Sequence, residues 1–315
     1  MTGSTHVARG DSDEDGWWDG LVGPGKAIDT NRFFVVAANI LGGCYGSTGP
    51  SSLAPDGVPW GSRFPYLTLR DSVRSEAVLS DALGIQQWHA VIGGSMGGAR
   101  ALEWAAEFPD RLRQAVILAS CGASTAEQIA LAQTQVLAIW QDANFDGGDY
   151  YSGRPPLAGL GLARRIAHIS YRSEAELGHR FGRAAQGGEQ PISLERGEQP
   201  ELNRYQVESY LDHQATKLVQ RFDANSYIVL TEALMSHDVG RGRGGLEQAL
   251  LAAASVRFTL ASVSSDRLYL PAQTEQLAAA VPGGVSVRSI DSKVGHDAFL
   301  LETGQIAALI APALA

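Results

Sequence analysis

The chain has 315 residues, 44% of them hydrophobic, and its 34 acidic against 25 basic residues give a net charge of −9. That length suits one large α/β unit carrying an insertion, or two domains, either with a sizeable core; the negative charge repels nucleic acid and anionic membrane surfaces, so neither is expected as a partner. No apolar run reaches the roughly 18 residues that span a bilayer, the first residues lack the apolar centre of a signal peptide, and a cytoplasmic protein is therefore expected.

Short β-branched runs alternate with helical stretches along the chain, the pattern of a mainly parallel sheet with helices on both faces. Strands are predicted at 33–38, 88–92, 114–119, 256–263 and 285–290. Helices are predicted at 71–83, ended by Gly84, at 99–106, and from Asp297 to about residue 314. Between Cys121 and Leu251 the pattern changes. Ser124 and Glu127 read as a capping box that opens a helix, and polar, Gly-rich links and further helical segments follow with no clear strand. The expected organisation is an α/β core of residues 1–121 and 252–315, interrupted by a helical insertion at 122–251. Cys44 and Cys121 make neither a disulfide framework nor a zinc site and read as packed thiols.

The stretch Gly93-Gly94-Ser95-Met96-Gly97 fits G-x-S-x-G between a predicted strand and a predicted helix, the context of a nucleophile elbow. Such a turn strains the backbone of its apical serine, exposes the hydroxyl, and aims the next amide, that of Met96, at the place where an oxyanion would form. The competing readings are a serine-capped turn or a phosphate cradle, and the cradle lacks its Lys-Ser/Thr ending. A nucleophilic serine needs a base and a group to orient it, here in the chain order acid then histidine. Of seven histidines only His296 follows the last predicted strand in a short loop and precedes the final helix. His168, His179, His213 and His237 fall in the insertion, His89 in a strand and His6 in the N-terminal loop, where packed or solvent-facing rings are expected. Asp266 follows the strand 256–263 and is the expected acid; Asp291, on the histidine's own loop, competes.

Several longer runs carry a resemblance. Gly42-Gly43-Cys44-Tyr45-Gly46-Ser47-Thr48-Gly49-Pro50, the run from Gly93 through Trp104, Ser265-Asp266-Arg267, Gly295-His296-Asp297-Ala298-Phe299-Leu300, and the insertion's Leu162-Ala163-Arg164-Arg165 and Ser236-His237-Asp238-Val239-Gly240-Arg241-Gly242-Arg243 together resemble the homoserine O-acetyltransferases, most closely the actinobacterial members. The resemblance implies an α/β-hydrolase fold with a helical lid that pairs two copies into a homodimer. It implies acetyl transfer from acetyl-CoA, a co-substrate rather than a resident cofactor, to L-homoserine through an acetyl-serine, as a step of methionine biosynthesis. It also implies Arg164 for the homoserine carboxylate, Asp297 for its amine and Tyr171 beside them. Open alternatives are a succinyl donor or serine acceptor, a simple hydrolase, and a non-catalytic copy of the fold. No metal is implied.

Relatives carry further strands before a loop reading roughly His-Ala-Leu-Thr-Gly, and here Met1-Thr2-Gly3 stands in place of its last three residues. That loop supplies the second oxyanion donor, which in this chain falls to the terminal ammonium of Met1. The expectation is a sheet without its first strands and a true chain that begins upstream, the 315-residue form being weakly active and poorly soluble.

Overall fold

The computed structural model describes residues 2–186 and 204–315. Two short strands, β1 (Val22–Gly23) and β2 (Ile28–Asp29), pair with each other. The main sheet is parallel and four-stranded, in the order β3 (Val91–Gly94), β4 (Gln114–Leu118), β5 (Arg257–Val263), β6 (Val287–Ile290). A central strand of a parallel sheet is covered on both faces and so reads as a continuous buried run. All five residues of β4 are buried, its one polar side chain, Gln114, donating to Thr259 Oγ1 at 2.8 Å. The register pairs Gly94 with Leu118, Leu118 with Ala261 and Val263 with Ile290, which brings the carboxyl ends of all four strands to one edge.

Side chains alternate along a strand, so β4 serves two cores. Ala115 and Ile117 pack with α1 (Leu69–Ala82), α2 (Met96–Glu107) and α9 (Pro271–Ala280). Val116 and Leu118 pack with α10 (Ala298–Leu301), α11 (Thr303–Ala313), Trp18 and Leu21 on the other face. Helix α1 starts two residues earlier than the periodicity suggests, because Thr68 and Asp71 form a reciprocal capping box. The final helix breaks at Glu302, whose backbone is non-helical, into α10 and α11.

Among the described residues, six further helices lie between β4 and β5: α3 (Ala126–Trp140), α4 (Leu157–Tyr171), α5 (Glu174–Arg180), α6 (Gln206–Val219), α7 (Ala224–Met235) and α8 (Leu246–Leu251). The box opening α3 is Thr125 with Gln128, one residue beyond the expected Ser124 and Glu127; Ser124 instead donates to Leu234 O. Val136, Leu160, Leu218 and Tyr227 form a core of their own, into which α2 inserts Met96 and Ala99. The insertion is thus packed directly on the helix that follows Ser95.

Two strand expectations change. The ladder of β3 begins at Val91, so His89 lies before it, and Trp88 makes only an isolated bridge to Leu112. Residues 33–38 belong to no strand: Phe33 and Val35 face the core while Phe34 and Val36 are exposed, but no described residue offers them a ladder. The period-two pattern was real and only the partner is missing among the described residues. No described helix is long and apolar enough to cross a membrane.

Candidate active site

Ser95 sits between β3 and α2 with φ 56° and ψ −124°, a left-handed conformation that costs a non-glycine residue on the order of 1–3 kcal/mol. Its neighbours make the turn possible. A Cβ on Gly93 would lie 2.2 Å from Gly97 O, one on Gly94 2.3 Å from the Phe299 ring, and one on Gly98 2.7 Å from Ser120 Cβ. Gly97 is different, since a Cβ there meets nothing within 4 Å. The amide of Met96 opens α2 and has no partner within the helix, so it is free to donate to an anion above Ser95. Helix α2 is itself pinned: Glu76 of α1 binds Arg100 and Trp104 Nε1, and Arg243 reaches Glu103 at 2.8 Å and Glu107 at 2.5 Å. Arg243 belongs to the Gly-rich run 240–245, and its part in this structure is to hold the elbow helix.

Asp266 lies just beyond β5 and His296 just beyond β6. His296 Nδ1 and Asp266 Oδ2 are 2.6 Å apart, and both residues are buried. The other carboxylate oxygen accepts the amides of Leu268 at 2.8 Å and Tyr269 at 2.9 Å, which fixes the carboxylate and directs Oδ2 at the ring. Holding the Nδ1 proton leaves Nε2 as the lone-pair nitrogen. Asp291 is exposed and bonds Ser264 Oγ at 3.1 Å, so the structure brings Asp266 and not Asp291 to the histidine. Ser95, Asp266 and His296 all stand at the carboxyl ends of their strands, where open parallel sheets place their ligands.

The remaining histidines have other surroundings. His168 Nδ1 is 3.1 Å from Tyr210 Oη, and burial, helped by Arg164 and Arg172, pushes its pKa down to about 3. His237 Nε2 is 3.2 Å from Cys121 O, with a pKa lowered to about 4 by burial. Cys121 is buried, which pushes its thiol up to about 12; Cys44 is half-buried. Among the described residues no group of three His, Cys, Asp or Glu side chains could hold a metal.

On the insertion's side, the Tyr171 ring lies 5.9 Å from the His296 ring, and the Arg164 guanidinium lies 5.7 Å from the Tyr171 centroid. Arg164 Nε is buried without a partner among the described residues, and its Nη1 is 3.4 Å from Thr2 Oγ1. Asp297 is 3.2 Å from Arg172 Nη2, and Arg172 also approaches Glu176 at 3.6 Å. Sequence reasoning missed Arg172, though its place next to Tyr171 was the available signal. Met1 lies outside the described residues, while Thr2 O accepts from Arg221 Nη1 at 3.1 Å, so the chain's first described residue does lie against this site.

The end of α4 is clamped onto the histidine loop: Ser173 N donates to Val294 O at 3.3 Å, and Ser173 Oγ binds Lys293 O. Gly295, with φ +91°, makes this possible, because a Cβ there would sit 2.6 Å from Ser173 N. Gly295→Ala is therefore expected to lower the urea midpoint by the equivalent of about 1–3 kcal/mol and to reduce activity together with it. An unchanged midpoint with full activity would show that the clamp is dispensable.

A family profile of the α/β-hydrolase fold matches residues 10–303. The homoserine O-acetyltransferase of Thermobifida fusca is 54% identical over 100% of this chain and 82% of that protein. Among solved structures, the homoserine O-acetyltransferase of Bacillus anthracis superimposes with a TM-score of 0.90 at 27% identity, covering 100% of this chain and 86% of that one. Esterase E22 superimposes with a TM-score of 0.87 at 26% identity, covering 100% and 87%.

Proposed function

The chain belongs to the homoserine O-acetyltransferase family of the α/β-hydrolase fold, and from that premise we propose that it moves the acetyl group of acetyl-CoA to the side-chain hydroxyl of L-homoserine through an acetyl-Ser95. His296 Nε2 takes the proton of Ser95 as Oγ attacks the thioester, and returns it to the departing CoA thiolate. Asp266 holds the imidazole in the tautomer this needs and stabilises the imidazolium. The Met96 amide binds the oxyanion; such a donor is worth roughly 10²- to 10³-fold in kcat. Homoserine then gives its hydroxyl proton to His296, attacks the acetyl carbonyl, and Ser95 regains the proton.

The observation that carries this reading is the line of contacts from Arg164 to Tyr171 to His296, with the Asp297 carboxylate next to that histidine in the chain and paired with Arg172. That arrangement suits a zwitterion: Arg164 takes the carboxylate and Asp297, steadied by Arg172, takes the ammonium. A plain esterase has no use for it, although Esterase E22 shares the fold. The helical insertion acts as the lid that excludes water from the acetyl-enzyme. Leu162 and Ile169 lie seven residues apart on α4, both nearly half exposed, and support pairing of two lids in a homodimer. Acetyl-CoA is a co-substrate, the reaction calls for no resident cofactor, and the cytosol is its setting.

The test separates the half-reactions. Arg164→Ala is expected to leave acetylation of Ser95 by acetyl-CoA near the wild-type rate and to slow transfer to homoserine at least a hundredfold, because a buried partner charge is left uncompensated, at about 3 kcal/mol or more. Acetyl-CoA is expected to give a higher kcat/KM than succinyl-CoA. Equal damage to both half-reactions would make Arg164 a structural residue, and preference for succinyl-CoA would move the chain to the other donor.

A further inference from the structure

The first turn of α3, in the insertion, meets the loop that carries Asp266. Gln128 stands at that contact with its amide divided between two tasks. Its Oε1 accepts the Thr125 amide at 2.9 Å, as half of the capping box, while Nε2 donates to Leu268 O at 2.7 Å and to Gln273 Oε1 at 3.2 Å. The cap needs only the oxygen, and a glutamate would serve it equally well, so capping does not explain the NH₂. Leu268 O shares one planar peptide unit with Tyr269 N, and in that rigid plane the carbonyl and the N–H point in opposite directions. The N–H donates to Asp266 Oδ1 at 2.9 Å, beside the Leu268 amide at 2.8 Å. The Tyr269 ring, on the same residue, stacks on His296 with centroids 5.1 Å apart and planes at 22°. No backbone amide among the described residues bonds Leu268 O, so the insertion holds this peptide plane from behind.

We propose that Gln128 is a positioning residue for the catalytic acid: through the peptide that joins Leu268 to Tyr269 it fixes the direction of the N–H that orients the Asp266 carboxylate, and so the Oδ2 that meets His296 Nδ1 at 2.6 Å. Gln128 touches no reacting atom. Its bond to the carbonyl also polarises the peptide and strengthens the N–H as a donor, because hydrogen bonds in series reinforce one another. Residues 264–270 lie in no strand or helix, so side-chain bonds of this kind must set the shape of the acid's loop. The insertion thus serves the catalytic group at two points: its core receives Met96, next to Ser95, and Gln128 steadies the acid. This role rests on the proposed reading of Asp266 and His296 as acid and base.

Gln128→Met keeps the length of the side chain and removes both polar ends; Thr125→Ala breaks the same capping box and leaves the bond to Leu268 O in place. Both variants are expected to lower the urea midpoint. Only Gln128→Met is expected to lower kcat, by roughly three- to tenfold, the effect of one neutral hydrogen bond. The loss should be equal in acetylation of Ser95 and in transfer to homoserine, since His296 serves both steps, and KM for acetyl-CoA and for homoserine should stay within about twofold of wild type. Combined with Asp266→Asn, Gln128→Met should cause no further loss, because its effect passes through that carboxylate. Wild-type kcat in Gln128→Met would overturn the proposal. So would an equal fall in Thr125→Ala, a rise in KM in place of a fall in kcat, or full additivity with Asp266→Asn, each of which would mark a structural role. Wild-type kcat in Asp266→Asn alone would fail the underlying reading of the acid, whereas an inactive Asp266→Asn beside an unaffected Gln128→Met fails this proposal alone.

Discussion

Ser95→Ala is expected to take up no acetyl group when mixed with acetyl-CoA, and to turn over roughly 10⁶-fold more slowly than wild type, the scale seen when a nucleophile that works as one unit with its base is removed. The side chain is half-buried at a turn whose shape is set by Gly93, Gly94 and Gly98, so alanine inherits the same backbone strain and packing. The urea midpoint is therefore expected to stay at the wild-type value. Intact mass after incubation reads the first result and denaturation the second. A persistent acetyl adduct on the variant would remove Ser95 from the mechanism.

Asp266→Asn should be the more telling change, because it alters one atom. The asparagine carbonyl can still accept the amides of Leu268 and Tyr269, but its NH₂ then faces His296 Nδ1, at the position now 2.6 Å from Oδ2. Nδ1 must become the acceptor, Nε2 carries the proton, and the ring can no longer receive one from Ser95. A fall in kcat of about 10⁴-fold with the fold intact is the expected result. Asp291→Asn provides the contrast: that carboxylate is exposed and bonded to Ser264, so kcat should be unchanged. A loss below tenfold in Asp266→Asn, or a large one in Asp291→Asn, would reassign the acid.

The elbow and its partners were legible because their signals are steric and topological. Ser95 must be flanked by residues without side chains where strand and helix pass within contact distance, and Asp266 and His296 must follow strands to reach the same edge. Limits of elements were less legible. The strand predicted at 33–38 has the right alternation, with Phe33 and Val35 inward, yet pairing depends on a neighbour and not on the segment's own pattern. The capping box slid from Ser124 to Thr125 because both residues can cap, and tertiary contact with Leu234 claimed the first. Arg172 and Tyr269 escaped notice for a different reason. An arginine beside a helix end and an aromatic three residues after an acid read as surface and core; only the fold brings one to Asp297 and stacks the other on His296.

The central claim is that Ser95 carries the acetyl group from CoA to homoserine, and it is tested most directly by a two-step chase. Wild-type protein is mixed with acetyl-CoA alone, freed of excess donor, and then given L-homoserine or buffer. The account predicts one thiol released and one acetyl group gained per protein chain, located by peptide mass on the segment holding Ser95. On adding homoserine that group should leave as O-acetylhomoserine, far faster than it leaves to water. Absence of an acetyl-enzyme, or loss of the acetyl group to water at a rate that homoserine does not change, would contradict it.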